Sequence, residues 1–397
     1  DILISENKLS EEEKLIFLNS IYDHLLFVIN NLEWSPLSRS NHYIANIIGL
    51  LVMGYFLPED KFLKSIKRFS CNQLLNEIDF QYFDDGGLKE GSSAYHVFSS
   101  EMILIGIYFY KKIKLRDKNF YESIKFRDLI NLPTKSNFIY INSKKIEKKY
   151  EKIIFNKIKK ILKLSRVMLR NDNSLLQVGD NDSGCFFDFD YSCNSLEKKK
   201  LHLLLSKDKE GSLLSIIKNF IGNYFFKNDY VDTKILKPGT LNIKNKYEKK
   251  FYIPFKKKIN KKEIEFHEFR DFGLYCFFHK TFSLYFVCKN KYNYFNSGHH
   301  HDDNLAIDLV IKKKNIITDP GSFCYTSDLE IRNKYRSIAS HFAPRSQNFK
   351  CKDYLQPFVL KKFLKGELIN FQNDSLVGKI FYKNDNIYRT IKIEETG

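Results

Sequence analysis

Gly298-His299-His300-His301-Asp302-Asp303 runs directly, through Asn304, into the alternating stretch Leu305-Ala306-Ile307-Asp308-Leu309-Val310-Ile311. Three of the ten histidines stand here in a row. Successive side chains of an extended segment point to opposite faces, so the spacing predicts His299, His301 and Asp303 on one face and His300 and Asp302 on the other. H-x-H-x-D on one surface suits metal binding, because neutral imidazoles and a carboxylate are ordinary zinc ligands. It equally suits proton transfer or anion binding near neutral pH. A solvated His-rich loop has the same composition.

Outward from that stretch, runs over residues 252–255, 264–269, 274–278, 283–288, 305–311 and 316–318 read as strands separated by turns. No long helical period intervenes after about Asp229, which predicts an antiparallel β-sandwich for residues 229–397. A tight hairpin turn at residues 312–315 sets Asp319 opposite about Asp308, so the chain must bend back or shift register to bring Asp319 to His301. Upstream the pattern is helical. Ser10-Glu11-Glu12-Glu13 is a capping box, and the apolar positions behind it recur at helical spacing to about Leu32. A second period begins at Asn41 and His42, a third at Pro58, and a fourth covers residues 95–112. Residues 144–170 read as a Lys-rich amphipathic helix, and residues 195–226 as one or two shorter ones. The fold class is therefore α+β, with a helical domain over residues 1–228 ahead of the sandwich.

Aromatic residues make up 15% of the 397 positions and hydrophobic residues 43%, which excludes a disordered chain. The net charge of +18 draws anions: nucleic acid, acidic lipid or acidic polysaccharide. Much of the excess lies in lysine runs such as 198–200 and 256–258, a pattern that more often marks solvated turns than binding sites. These runs carry no nucleic-acid-binding motif and the aromatics are not concentrated among them, so nucleic acid is set aside as a partner. Seven cysteines without a C-x-x-C pair indicate neither a disulfide framework nor a cysteine zinc site. No apolar run approaches the ~20 residues of a membrane helix. The sequence opens at Asp1 with neither methionine nor a leader, so its compartment cannot be read from this end.

Four polar clusters carry the chemistry: Ser40-Asn41-His42; Asp85-Gly86 through Glu90 to Ser92-Ser93-Ala94-Tyr95-His96; the histidine run; and Asp319-Pro320-Gly321 with Tyr325, Arg332, Tyr335, Arg336 and His341. Between them stands the carboxylate-dense loop Gly179-Asp180-Asn181-Asp182. Taken in order, N-H before a helical run, D-G-x-x-x-E-x-S-x-x-Y-H, G-D-x-D, H-x-H-x-D before a strand, D-P-G, and R-x-x-Y-R leading to a histidine, the chain resembles the heparinase II/III-like polysaccharide lyases and the related alginate lyases. The resemblance spans about Ser40 to His341.

The resemblance implies an N-terminal (α/α) toroid followed by an antiparallel β-sandwich, and β-elimination on an anionic, uronate-containing polysaccharide. It implies that Asn41 donates to the uronate carboxylate with His42 assisting, that Tyr95 is acid and, for some substrates, base, and that His299 is its partner. Glu90, Tyr325, Arg332 and Arg336 would bind substrate. His301, Asp319 and His341 would hold a structural zinc ion, with no organic cofactor. Family habit favours the periplasm or cell surface of a bacterium. After His341 the family pattern has Asn-Thr where this chain has Phe342-Ala343, and the short toroid points to a fragment lacking both ends. Two other readings compete: a non-catalytic glycan-binding or polysaccharide-assembly protein on the same fold, and hydrolysis by Asp85 and Glu90. The second is the weaker, because the turn's Gly and Ser content explains those acids structurally.

Overall fold

The computed structural model describes residues 9–35, 39–117, 120–121, 147–170, 174–181, 253, 259–291, 298–345, 356–358, 364–372, 374–382 and 385–394. The expected helices over 195–226, the strand over 252–255 apart from Ile253, and the boundary near 228 lie outside these residues.

Among the described residues five helices occupy the first half: α1 (Glu11–Asn30), α2 (Asn41–Phe56), α3 (Lys61–Gln81), α4 (Ser93–Arg116) and α5 (Lys148–Val167). Each of the first four starts where a short polar side chain covers an orphan N–H. Ser10 and Glu13 form the reciprocal box on α1, Ser40 caps α2, Asp60 rather than Pro58 caps α3, and Ser92 caps α4. Their apolar stripes make one core, with α2 packed on α1, α3 and α4. Among the described residues no helix is long and apolar enough to cross a membrane.

The second half begins with a five-stranded antiparallel meander, β1 (Glu265–Phe269), β2 (Leu274–His279), β3 (Phe282–Val287), β4 (Ile307–Ile311) and β5 (Lys314–Ile317). After the short helix α6 (Leu329–Tyr335) comes a three-stranded sheet, β6 (Gly366–Gln372), β7 (Ser375–Tyr382) and β8 (Asp385–Lys392). Alternation decides the layers. Tyr275, Phe277, Leu284 and Phe286 face Leu376 and Ile380 of the second sheet, while Leu274, Cys276, Tyr285 and Val287 face Leu164 and Met168 around the end of α5. The strands thus form the predicted sandwich, and its other face rests on the helical half. The β4–β5 turn uses Lys312 and Lys313, both at positive φ, as a two-residue hairpin requires. Beyond it the register slips, pairing Val310 with Asn315 but Leu309 with Ile317. The slip is too small to carry Asp319 to His301, and Asp319 meets His341 instead.

The halves are also joined by hydrogen bonds at a glycine-rich turn. Asp85 takes the N–H groups of Asp271 and Phe272 on one oxygen and that of Gly87 on the other. A few residues on, Gly91 sits at φ +73°, and a Cβ there would come within 2.0 Å of the buried His300 ring. His300 thus wedges between the halves, facing the Lys89 carbonyl at 3.3 Å. Gly91→Ala combines left-handed strain with a buried clash and is expected to cost roughly 2 kcal/mol or more, read as a lowered urea midpoint.

Candidate active site

The site is assembled where the starts of α2 and α4 meet the His299 loop. Asn41 is the first residue of α2, and Glu90 holds it twice: the backbone N–H reaches one carboxylate oxygen at 3.0 Å and the side-chain Nδ2 reaches the other at 3.0 Å. The same carboxylate lies 3.3 Å from His299 Nε2. Glu90 therefore couples the helical half to the β half and is itself buried. It lies behind Asn41 and His299, where the resemblance implies a substrate-binding residue.

Tyr95 lies in the first turn of α4, its N–H capped by Ser92 Oγ. Its ring stacks on that of His299 with centroids 3.6 Å apart and planes 12° off parallel. The Tyr95 hydroxyl meets the Tyr325 hydroxyl at 2.5 Å, and Tyr325 in turn lies 3.4 Å from His299 Nδ1. Two phenols, an imidazole and the Asn41 amide are thus gathered into one cluster, as one reaction centre requires.

The residue that orders this cluster is Asp180. It is fully buried and faces His299 Nδ1 at 3.0 Å, His301 Nε2 at 2.9 Å and Arg332 Nη2 at 2.6 Å. Burial alone would raise its pKa, but the hydrogen bonds from His299, His301 and Arg332 outweigh that and hold it far below the usual carboxylate range. Its backbone is tied in as well: Asp180 N–H donates to the His299 carbonyl, and Ser92 Oγ donates to the Asp180 carbonyl. The sequence shows Asp180 within G-D-x-D but assigns it no role. The signal was its place beside Gly179, whose φ of +67° lets the chain pass against the His299 carbonyl.

Other expected positions fall differently. His42 projects to solvent with a 62% exposed side chain and pairs with Glu33, not with Asn41 or the cluster. Neighbouring helical residues diverge by about 100°, so only one of Asn41 and His42 can face the site. His42→Ala is expected to change stability by less than about 0.5 kcal/mol and leave turnover within two-fold of wild type, checked by parallel melts and rates. Arg332 and Arg336 are each only 1% exposed. Arg332 binds Asp180 and the Pro357 carbonyl, and Arg336 binds the carbonyls of Gln356 and Pro357, so both act as internal latches and not as substrate contacts. The strict face-parity of the histidine run also fails. Residues 298–306 form no strand, with turns only at 298–299 and 304–305, and Leu305 has a φ of 65°. His299 and His301 still share Asp180, but Asp303 leaves them to bind the buried Lys289 at 2.8 Å.

His301 and His341 lie together, ring centroids 5.2 Å apart, and His341 Nδ1 meets Asp319 at 2.6 Å. His301 Nδ1 and His341 Nε2 are buried and have no hydrogen-bond partner among the described residues. Burial lowers the His301 pKa. For His341 burial works in the same direction, but Asp319 outweighs it and raises the value.

The chain matches two family models, the heparinase II/III N-terminus over residues 1–128 and the heparinase II/III-like C-terminal model over residues 261–343. The chain belongs to the heparinase II/III-like family. The structure resembles a heparinase III described as the BT4657 gene product (TM-score 0.56, 16% identity, 95% of this chain and 46% of that one) and the heparan sulfate lyase HepC from Pedobacter heparinus (0.52, 16%, 96% and 47%). It also resembles another heparinase III (0.55, 16%, 98% and 50%). At such identity the likeness is one of fold, toroid plus sandwich, with the toroid described in part. This heparinase-like chain spans about half the length of those structures. No curated protein sequence matches it.

The metal expected from the family can be tested on donors. Two buried, unpartnered imidazole nitrogens fit an ion that favours nitrogen ligands, and Asp319 stands where a carboxylate orients such a histidine. Among the described residues no group of three or more His, Cys, Asp or Glu is arranged around one point, so His301 and His341 are the fitting pair and Asp319 would have to turn to join them.

Proposed function

We propose that this heparinase-like chain carries the reaction centre of a lyase that cleaves a uronate-containing anionic polysaccharide by β-elimination. The observation that supports it most is the convergence on the His299 imidazole, which shares the Glu90 carboxylate with the Asn41 amide and stacks against the Tyr95 ring. In the reaction a base takes the proton on the carbon beside the uronate carboxylate. The electron pair of that C–H bond becomes the new C=C bond, the bond to the bridging oxygen at C4 breaks, and an acid returns a proton to that oxygen. The barrier lies in building charge next to a carboxylate that is already anionic, so a donor on the carboxylate stabilises the transition state. One N–H of Asn41 is occupied by Glu90, and the amide keeps a second N–H for that task. Tyr95 is the acid toward the leaving oxygen, Tyr325 hydrogen-bonds it, and His299, its ring oriented by Asp180, is the second proton-transfer group.

The test is absorbance near ~232 nm, the signature of the new conjugated alkene, with polymers of glucuronate, iduronate, mannuronate and guluronate supplied in turn. A rise with any of them supports the reading. No product from all four, with polymer affinity equal in wild type and Tyr95→Phe, would establish the glycan-binding alternative. We place the activity in the periplasm or at the cell surface, where such polymers are met; finding the natural full-length product in the cytoplasm would reject this.

We also propose that His301 and His341, with Asp319, hold a structural zinc ion, supported by the two unpartnered nitrogens. Elimination consumes no water, so an ion there would order the loops and not supply a nucleophile. Purified protein is expected to carry about one zinc per chain by elemental analysis and to lose it in His341→Ala, with a lower melting midpoint. Metal-free protein with an unchanged midpoint after zinc addition would overturn this.

A further inference from the structure

The Ser40–Asn41 peptide unit is gripped from both sides. On its N–H side Glu90 accepts from Asn41. On its C=O side Gln81, the last residue of α3, donates Nε2 to the Ser40 carbonyl at 3.0 Å, although that oxygen already accepts from Tyr43 and Ile44 in the first turn of α2. The amide orientation of Gln81 is set by its surroundings. Its Nε2 also lies 2.9 Å from Glu77 Oε2, so two acceptors face the nitrogen, and Oε1 is left without a partner. Glu77 is fully buried one turn back on α3, and its other oxygen receives Arg39 Nη1 at 2.8 Å. Arg39 is fixed in turn, its guanidinium 3.5 Å from the centroid of the Phe80 ring.

We infer that Gln81, aimed by the Arg39–Glu77 pair, is a positioning residue for Asn41. The inference rests on the reading of Asn41 as the donor to the uronate carboxylate. A helix start held only by Glu90 can pivot about that carboxylate, and Glu90 is shared with His299. A second grip on the opposite edge of the same peptide removes the pivot and fixes where the Asn41 amide points. The burial of Glu77 is explained on this account: an acid with no solvent contact is costly unless its oxygens are used, and here they hold one cation and one amide. Neither Gln81 nor Glu77 touches the cluster of Tyr95, His299 and Asn41 side chains; they act through the Ser40 carbonyl.

Gln81→Met keeps the length and removes the donor. With the polymer that the wild type cleaves, kcat is expected to fall about ten-fold or more with KM within about two-fold, because misaimed donors lose transition-state stabilisation more than binding. In an Asn41→Ala background the same substitution is expected to change kcat less than two-fold, since the group it aims is gone. Equal factors in both backgrounds, or no effect in the wild type, would overturn the inference. Amide hydrogen exchange tests it without activity. In Gln81→Met the Asn41 N–H is expected to exchange at least ten-fold faster while Ile48 and Leu51, midway along α2, are unchanged. Unchanged Asn41, or all three accelerated alike, would show a general packing role. If wild type forms no product, the lyase reading fails while the exchange result still decides the grip.

Discussion

Tyr95→Phe is expected to lower the rate of unsaturated-product formation by about 10²–10⁴-fold, the range for removing a positioned acid or base. The fold should survive. The Tyr95 ring packs on His299 and Phe98, contacts that phenylalanine keeps, and the lost hydroxyl meets that of Tyr325. The stability cost should stay near ~1 kcal/mol, that of one hydrogen bond. Unsaturated ends counted at 232 nm, beside a thermal melt, separate the two effects. A variant with more than about one tenth of wild-type kcat would remove Tyr95 from the chemistry and pass the role to Tyr325, whose hydroxyl lies 2.5 Å away.

Asp180→Asn should be the most destabilising of these changes. The carboxylate faces three side chains, of which Arg332 is a permanent cation and only 1% exposed. An amide presents one acceptor where two are used and turns an N–H toward a donor. Removing the anion leaves the guanidinium buried and unpaired, a loss of roughly 3–5 kcal/mol, a large share of a typical stability of ~5–15 kcal/mol. The pH dependence follows from the depressed carboxyl pKa. That contribution is fully present above the unfolded value of about 4 and fades as pH falls toward the much lower folded value, so wild type should lose it in acid. In Asp180→Asn that part of the acid slope should be missing. Urea midpoints at pH 7 and below pH 4 measure both, and a loss under about 1 kcal/mol at pH 7 would mean that Arg332 finds water or another acceptor. Activity should fall too, since His299 loses its orienting partner.

Much of this site was legible as residue types in order. Gly91 is demanded by its positive φ and by the His300 ring, and the caps at Ser40 and Ser92 announce the helix starts that carry Asn41 and Tyr95. The positive φ and the two caps act within a few residues, so they leave marks in local sequence, whereas the His300 contact does not. The outward facing of His42 also follows from sequence once Asn41 faces inward, because a helix turns about 100° between neighbours. Arg332 and Arg336 were harder. Arginine near a site for anionic sugar reads as a substrate contact, and only the tertiary structure shows both sunk against Asp180 and the Pro357 and Gln356 carbonyls.

Hydrophobic periodicity by itself determined the order of helices before strands and the sandwich, because a period of 3.6 or 2 is a property of consecutive residues. The candidates Asn41, Tyr95 and His299 came from the motifs that carry the family resemblance. The division of labour inside the histidine run was decided only in three dimensions. Residues 298–306 form no strand, so facing is set not by alternation but by what each side chain meets: His299 meets Tyr95, Glu90 and Asp180, His300 packs over Gly91, and His301 meets Asp180 and His341. Glu90 and Asp180 drew their roles from partners 49 and about 120 positions away in sequence. Such pairings depend on how the helical half docks on the sheet, and no spacing within either segment encodes them.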